Sequence, residues 1–382
     1  MDAPVREGRG RTGEGGTDMA APRVVVVGGG YGGARVASLL DDVAEVVLVE
    51  PKDAFVHASA ALRAAVDPVW ESRVFFPYDR LLERGRVVQQ RVERATSAGV
   101  QLGDGTSLDA DYLVLATGTS YPFPAKFIEA ETRVAQARLA RMREGLERAE
   151  RVLVVGAGAV GLELVGELLD SYPHLAITVV DQAHDALTSG DYLPELRAAV
   201  HEQLDGRDVR FVFGSRLGYL PPVDVGVHEP FAVETEAGER IEAQMWFRCY
   251  GNLPASDYLA GDLADARNGL GEVRVDPTLA LAGHPTVYAV GDITDVPESK
   301  RASAARDHAA VVAQNIRAAI AGEAPSATYA PAPERIVLPL GRSGGASQVT
   351  DEEGAHRILG AEETSRIKGA DLYSTAMAEL FG

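Results

Sequence analysis

The chain has 382 residues, long enough for two domains, and its 46% hydrophobic content supplies an ordinary buried core without covalent staples. Asp and Glu number 56 against 37 Lys and Arg, a net charge of −19, and no local basic patch offsets it, which argues against nucleic-acid binding. Cys249 is the only cysteine, so an intrachain disulfide, a CxxC redox pair and a cysteine-rich metal site are excluded, and a reducing cytoplasm fits.

In chain order, residues 1–21 are rich in Gly and charge and lack an apolar run, the composition of a disordered tail. It carries no secretory h-region and, with Asp2 in place of Gly, no myristoylation signal. No later segment offers 18 consecutive apolar residues, so the expectation is a soluble protein, at most peripheral to a membrane, as monomer or homodimer. Arg23–Gly33, RVVVVGGGYGG, reads as a buried strand running into glycines; helical composition over Ala34–Leu40 and a strand at Glu45–Val49, closed by Glu50, complete a βαβ unit. Leu81–Gly99 and Gln101–Asp109 read as short strands with a GDG turn at Gly103–Gly105, a meander leading to the strand Tyr112–Ala116. Arg133–Arg148, dense in Ala, Arg, Leu and Glu and free of Pro, predicts a surface helix.

The pattern then repeats. Arg151–Gly161, RVLVVGAGAVG, runs into a helix at Leu162–Leu169 and a strand at Ala176–Val180 closed by Asp181, with further strands at Val209–Phe213, Phe231–Thr235 and Met245–Tyr250. The buried strand Thr286–Gly291, ending in Asp292, and the Ala-rich helix Ser303–Ile320 imply a return to the first domain. From Ala330 on, YAPAPERIVLPLG and a final helix over Ala370–Leu380 form a small module. The predicted division is 22–120 with 250–329, then 121–249, then 330–382. The fold class is α/β, with two nested Rossmann-type dinucleotide-binding domains and a C-terminal module.

The GxGxxG spacing places Gly28 at a tight turn, Gly30 where backbone approaches a pyrophosphate, and Gly33 where helix packs on strand, with Tyr31 and Gly32 between them. Glu50 stands 22 residues past Gly28, where a carboxylate accepts the ribose hydroxyls. Gly156, Gly158, Val160 and Gly161 repeat this logic, with Asp181 following Gly156 by 25 residues. An acid there repels a 2′-phosphate, which favours NADH over NADPH, although Gln182 and His184 nearby leave adaptation open. Cys249, in MWFRCYGN, reads as a small buried hydrophobe rather than a redox thiol.

Two dinucleotide motifs, with Ala116-Thr117-Gly118 between them and Gly291-Asp292 after the second, make the chain similar to the glutathione-reductase-like flavoproteins. PKDAFVHASAALRAAV after Glu50, GLELVGELL at Gly161–Leu169, GDITDVPESKRASAARDHAAVVAQNI, LPLGRSGGASQ at Leu338–Gln348 and KGADLY at Lys368–Tyr373 resemble the ferroptosis-suppressor group of apoptosis-inducing-factor-like flavoproteins, with type II NADH dehydrogenases as more distant relatives. That resemblance implies an FAD-dependent NAD(P)H:quinone oxidoreductase, with FAD in the first unit and NAD(P)H in the second. It implies that Thr117 and Gly118 pack beside FAD and that Asp292 binds its ribityl chain or pyrophosphate, with a cap on the following helix or turn as the lesser alternative. By the same resemblance Phe55, His57 and Arg63 line the flavin, Glu163 and Lys368 pair beside it, and Lys300 and His308 match their counterparts in that group. His57 and His308 are candidate proton relays, although either can simply pack. The absent myristoyl signal and basic tail leave open a soluble quinone in place of a membrane one, and a protein-carrier reductase or a flavin redox sensor stands as the alternative.

Overall fold

The computed structural model describes residues 21–351 and 354–381, so all but Ala21 of the predicted tail lies outside the described residues. Arg23–Val27 is a strand whose valines are fully buried, as a continuous β-branched run requires in a parallel sheet covered on both faces. It pairs in parallel with Glu45–Val49 on one side and Tyr112–Leu115 on the other. His284–Ala289 extends this sheet beside Tyr112–Leu115, followed by the antiparallel edge Ala280–Leu281. On one face the helix Tyr31–Leu40 lies against Ala302–Ile320 through small residues, and a Cβ added to Gly32 would stand 3.2 Å from Ala305 O.

The second unit is a four-stranded, all-parallel sheet ordered Val209–Val212, Ala176–Val180, Arg151–Val155, Met245–Arg248. An antiparallel hairpin, Phe231–Glu234 with Arg240–Ala243, seals one face by packing Val233 and Ile241 against Leu153, Val155 and Trp246. Helix Ala159–Ser171 covers the other face through Leu162, Val165 and Leu168. Where the chain leaves the first lobe and where it returns, Thr119–Ser120 and Leu253–Pro254 pair as a two-stranded ribbon. The C-terminal module is an antiparallel sheet of Ile336–Leu340, Gly344–Thr350 and His356–Leu359. It presses directly on the second lobe, since a Cβ on Gly166 would come within 2.5 Å of the Leu340 backbone.

Two readings of the sequence change. Arg86–Val88, expected within the meander, instead joins the parallel sheet beside Glu45–Val49, and only Val92–Thr96, Gly99–Leu102 and Ser107–Asp109 form the meander. The final helix begins at Ser374, not Ala370. Before it, a wide turn over Ser365–Gly369 ends with Ala370 N donating to Ser365 O, and Leu372 and Tyr373 take left-handed backbone angles (φ 51° and 62°) that no helix continues through.

Candidate active site

The glycines of the first motif are not all required for one reason. Gly28 has φ 102°, and a Cβ there would meet Ala116 O at 2.6 Å, so the turn is closed by the strand beside it. A Cβ on Gly33 would overlap Gly28 O. Gly30 differs: its backbone is extended (φ −71°, ψ −167°) and a Cβ there would meet nothing within 4 Å. A position that needs no glycine for the fold, at the N-terminus of a helix, is left open for a phosphate to approach. The second motif repeats this arrangement residue for residue. Gly156 (φ 110°) is closed by Cys249 O at 2.6 Å, Gly161 abuts Gly156 O, and Gly158 again faces open space.

The acids follow the same duplication. The buried Glu50 accepts from Gly29 N (2.7 Å) and Lys52 N (3.0 Å), and Asp181 accepts from Ala157 N (2.7 Å) and Ala183 N (2.8 Å). In both units the carboxylate is locked beside its glycine loop, where ribose hydroxyls are received.

A cavity of about 440 Å³ runs along the first motif. Gly28 to Gly32, Glu50, Thr117, Gly118, Gly291 and Asp292 line it, together with Tyr78, Lys126 and Tyr258. Thr117 Oγ1 donates to Ala255 O (2.7 Å), which ties the turn to the returning chain. Lys126 Nζ donates to Thr119 O (2.8 Å) and Oγ1 (2.7 Å) and stands 3.6 Å from Asp292 Oδ2. Burial pulls the Lys126 ammonium down, against the attraction of Asp292.

Glu163 projects from the second turn of helix Ala159–Ser171, which Val160 and Gly161 open at the second motif, and its Oε1 accepts from Lys368 Nζ at 2.6 Å. Lys368 comes from the wide turn of the C-terminal module, 205 residues away in sequence.

The sequence of 336 residues aligned with ferroptosis suppressor protein 1 of Taeniopygia guttata is 35% identical and covers 86% of this chain and 88% of that protein. The human ferroptosis suppressor protein 1 is 30% identical over 341 residues, covering 87% and 90%. Among solved structures, the sulfide:quinone oxidoreductase of Aquifex aeolicus superposes over 94% of this chain and 90% of its own with a TM-score of 0.71 at 17% identity, a likeness of fold. The profile of the pyridine nucleotide-disulphide oxidoreductase family matches residues 22–309. The chain belongs to that family. It is an FAD- and NAD(P)H-dependent oxidoreductase of α/β fold with Rossmann-type dinucleotide-binding architecture.

The residues of this pyridine nucleotide-disulphide oxidoreductase fit FAD at the first cradle. The open face of Gly30, the fixed Glu50 carboxylate and the Lys126–Asp292 pair offer a phosphate approach, a ribose acceptor and polar groups further along one cavity. Phe55, His57, Arg63, Lys300 and His308, all expected at the site, do not line that cavity. Phe55 is buried and stacked on Phe381, with ring centres 4.6 Å apart. His57 is buried with both ring nitrogens engaged: Nδ1 accepts from Tyr31 OH (2.8 Å) and Nε2 donates to Leu372 O (2.7 Å). A carbonyl has no proton to pass on, so the geometry gives no relay, and burial holds the imidazole down at about 4. His308 accepts from Gly291 N at Nδ1 (3.0 Å), faces Glu298 Oε1 at 2.9 Å from Nε2, and packs edge-on to Tyr329, which places it behind the Gly291-Asp292 turn. Burial lowers its pKa as well. Lys300 donates to Thr294 O (2.5 Å) and pairs with Glu272 (3.3 Å). Arg63 is fully buried and turned toward Glu167, away from the cavity.

Burial pushes the Cys249 thiol up to about 12, leaving it an inert core group whose carbonyl supports Gly156. Sequence reasoning passed over Lys126 and Tyr78. Lys126 carried a signal, since YPFPAKF sets one cation among aromatics and prolines nine residues after Thr117. Tyr78, whose OH donates to Gly29 O (2.9 Å), carried none, because its contact spans 49 residues without a motif.

Proposed function

We propose that this enzyme oxidises NADH and reduces a quinone, in the balance NADH + H⁺ + quinone → NAD⁺ + quinol. FAD supplies the two-electron relay between them when bound. The protein's part is to hold two dinucleotides and to set the charge around them. Asp181 supports NADH over NADPH: its carboxylate is fixed by Ala157 N and Ala183 N at the place where a 2′-phosphate would have to sit. Gly156, Gly158, Val160 and Gly161 form the nicotinamide dinucleotide's cradle, and Gly28, Gly30, Tyr31, Gly32 and Gly33 that of FAD.

The observation that carries the reading is the Glu163–Lys368 ion pair. It joins the helix that opens on the second cradle to the C-terminal module, and it leaves a cation and a carboxylate only partly exposed (15% and 16%). Such a pair can stabilise negative charge developing on a reduced ring or quinol and hold the proton that a quinone takes up. A quinone acceptor is supported by the resemblance to the ferroptosis-suppressor group. Reaction in the cytoplasm is supported by the single buried thiol, and among the described residues no helix is long and apolar enough to cross a membrane. Steady-state NADH oxidation against ubiquinone and menaquinone analogues, menadione, ferredoxin and rubredoxin tests the proposal. Turnover with a quinone and none with either protein carrier is expected, and turnover with a carrier alone would overturn it.

A further inference from the structure

Arg63 is among the largest fully buried side chains of the protein, and its partners come from three separate parts of the chain. It sits on helix Ala58–Val66 of the first lobe. Its Nε donates to both carboxylate oxygens of Glu167 at 3.0 Å and its Nη2 to Oε1 at 2.7 Å, a forked contact with a residue of the second lobe that is itself 3% exposed. Nη1 donates to Gly369 O (2.5 Å) and Nη2 to Gly341 O (3.1 Å), both in the C-terminal module. The guanidinium lies 4.8 Å from the centre of the Trp70 ring.

Two adjacencies give this hub a target. Glu167 follows Glu163 by four residues on one helix, so the two carboxylates lie on the same face one turn apart. Gly369 directly follows Lys368 in the wide turn. One side chain therefore grips the neighbour of each member of the Glu163–Lys368 pair without touching the pair itself.

We propose that Arg63 is a positioning residue: by holding Glu167 and the Gly369 carbonyl together across the lobe boundary, it sets the register in which Glu163 and Lys368 meet. The proposal rests on the reading of that pair as the chemical centre and adds the device that assembles it. A lysine at 63 cannot reproduce it, because a point charge on a flexible stem satisfies neither the forked carboxylate nor two carbonyls at once.

The test uses Arg63→Lys and the double variant Arg63→Met with Glu167→Met, which leaves no charge buried alone. FAD content, the anaerobic rate of flavin reduction at saturating NADH, and acylation of Lys368 read by mass spectrometry are measured for each, and the rate is measured again in a Glu163→Gln background. Expected are wild-type FAD content, flavin reduction slowed about tenfold or more, increased Lys368 acylation, and no further slowing once Glu163 is already Gln. Equal slowing in both backgrounds would overturn the proposal, since a merely structural role costs the same with or without the pair. So would unchanged Lys368 acylation, or loss of FAD from both variants. If Glu163→Gln alone retains the wild-type rate, the chemistry assigned to the pair falls, while the acylation result still decides whether Arg63 positions Lys368.

Discussion

Gly30→Ala separates a glycine kept for a cofactor from one kept for the fold. The backbone at Gly30 is extended with negative φ, which alanine adopts freely, and a Cβ there meets no protein atom within 4 Å. Lower unfolded-state entropy favours alanine by about 0.4–1 kcal/mol, and its poorer performance as a helix N-cap takes back part of that, so folding stability moves by less than about 1 kcal/mol. Binding is another matter. A methyl group facing the open side of the helix N-terminus keeps a pyrophosphate from one or two backbone N–H donors, each worth about 1.5–3 kcal/mol to a charged acceptor. FAD affinity should then fall by roughly 1.5 to 6 kcal/mol, about 10- to 20,000-fold. Differential scanning calorimetry of the apoprotein and fluorescence titration with FAD measure the two quantities. Gly33→Ala is the control: its Cβ overlaps Gly28 O, so stability and FAD binding fail together. A Gly30→Ala protein that takes up FAD as tightly as the parent would refute the reasoning, because the open face would then not be where the phosphates lie.

Asp181→Ala removes the carboxylate fixed by Ala157 N and Ala183 N. The Kd for NADH should rise roughly ten- to a hundredfold and the preference for NADH over NADPH should shrink, as read from flavin reduction against each dinucleotide. Glu163→Gln should slow flavin reduction about 10- to 100-fold while leaving FAD content intact, measured by stopped-flow absorbance. His57 makes stability depend on pH. Burial lowers its folded pKa to about 4 from 6.5, so between those values the unfolded chain binds the extra proton, and stability is lost as pH falls through that window. The loss reaches about 3 kcal/mol near pH 4. His57→Gln, which can keep a donor to Leu372 O, should flatten the pH dependence of Tm there, and an unchanged slope would contradict the assignment.

The two cradles were legible because their signal is local. A valine run, three glycines and an acid 22 or 25 residues on are consequences of one βαβ geometry, and the structure closes Gly28 and Gly156 on a neighbouring strand in the same way. Even the Glu163–Lys368 contact was within reach, through resemblance rather than spacing. What the sequence hid are partners at long separation. Arg63 looks the same in ALRAAV whether it faces a flavin or a buried Glu167 104 residues away. His308 sits in an Ala-rich helix whose pattern says only that one face is buried, and that Glu298 and Tyr329 converge on it is a matter of tertiary packing. The last helix was drawn four residues too early because KGADLY contains no glycine or proline after Gly369 to announce the left-handed pair Leu372-Tyr373.

The measurement closest to the central claim is an anaerobic spectral titration of the purified protein, first with NADH and then with menadione. The account predicts a yellow protein carrying one FAD per chain, bleaching at about one equivalent of NADH and return of the colour on adding the quinone, over many cycles. A protein that holds FAD yet is not bleached by NADH would contradict the second cradle. Bleaching that no quinone reverses would contradict the acceptor.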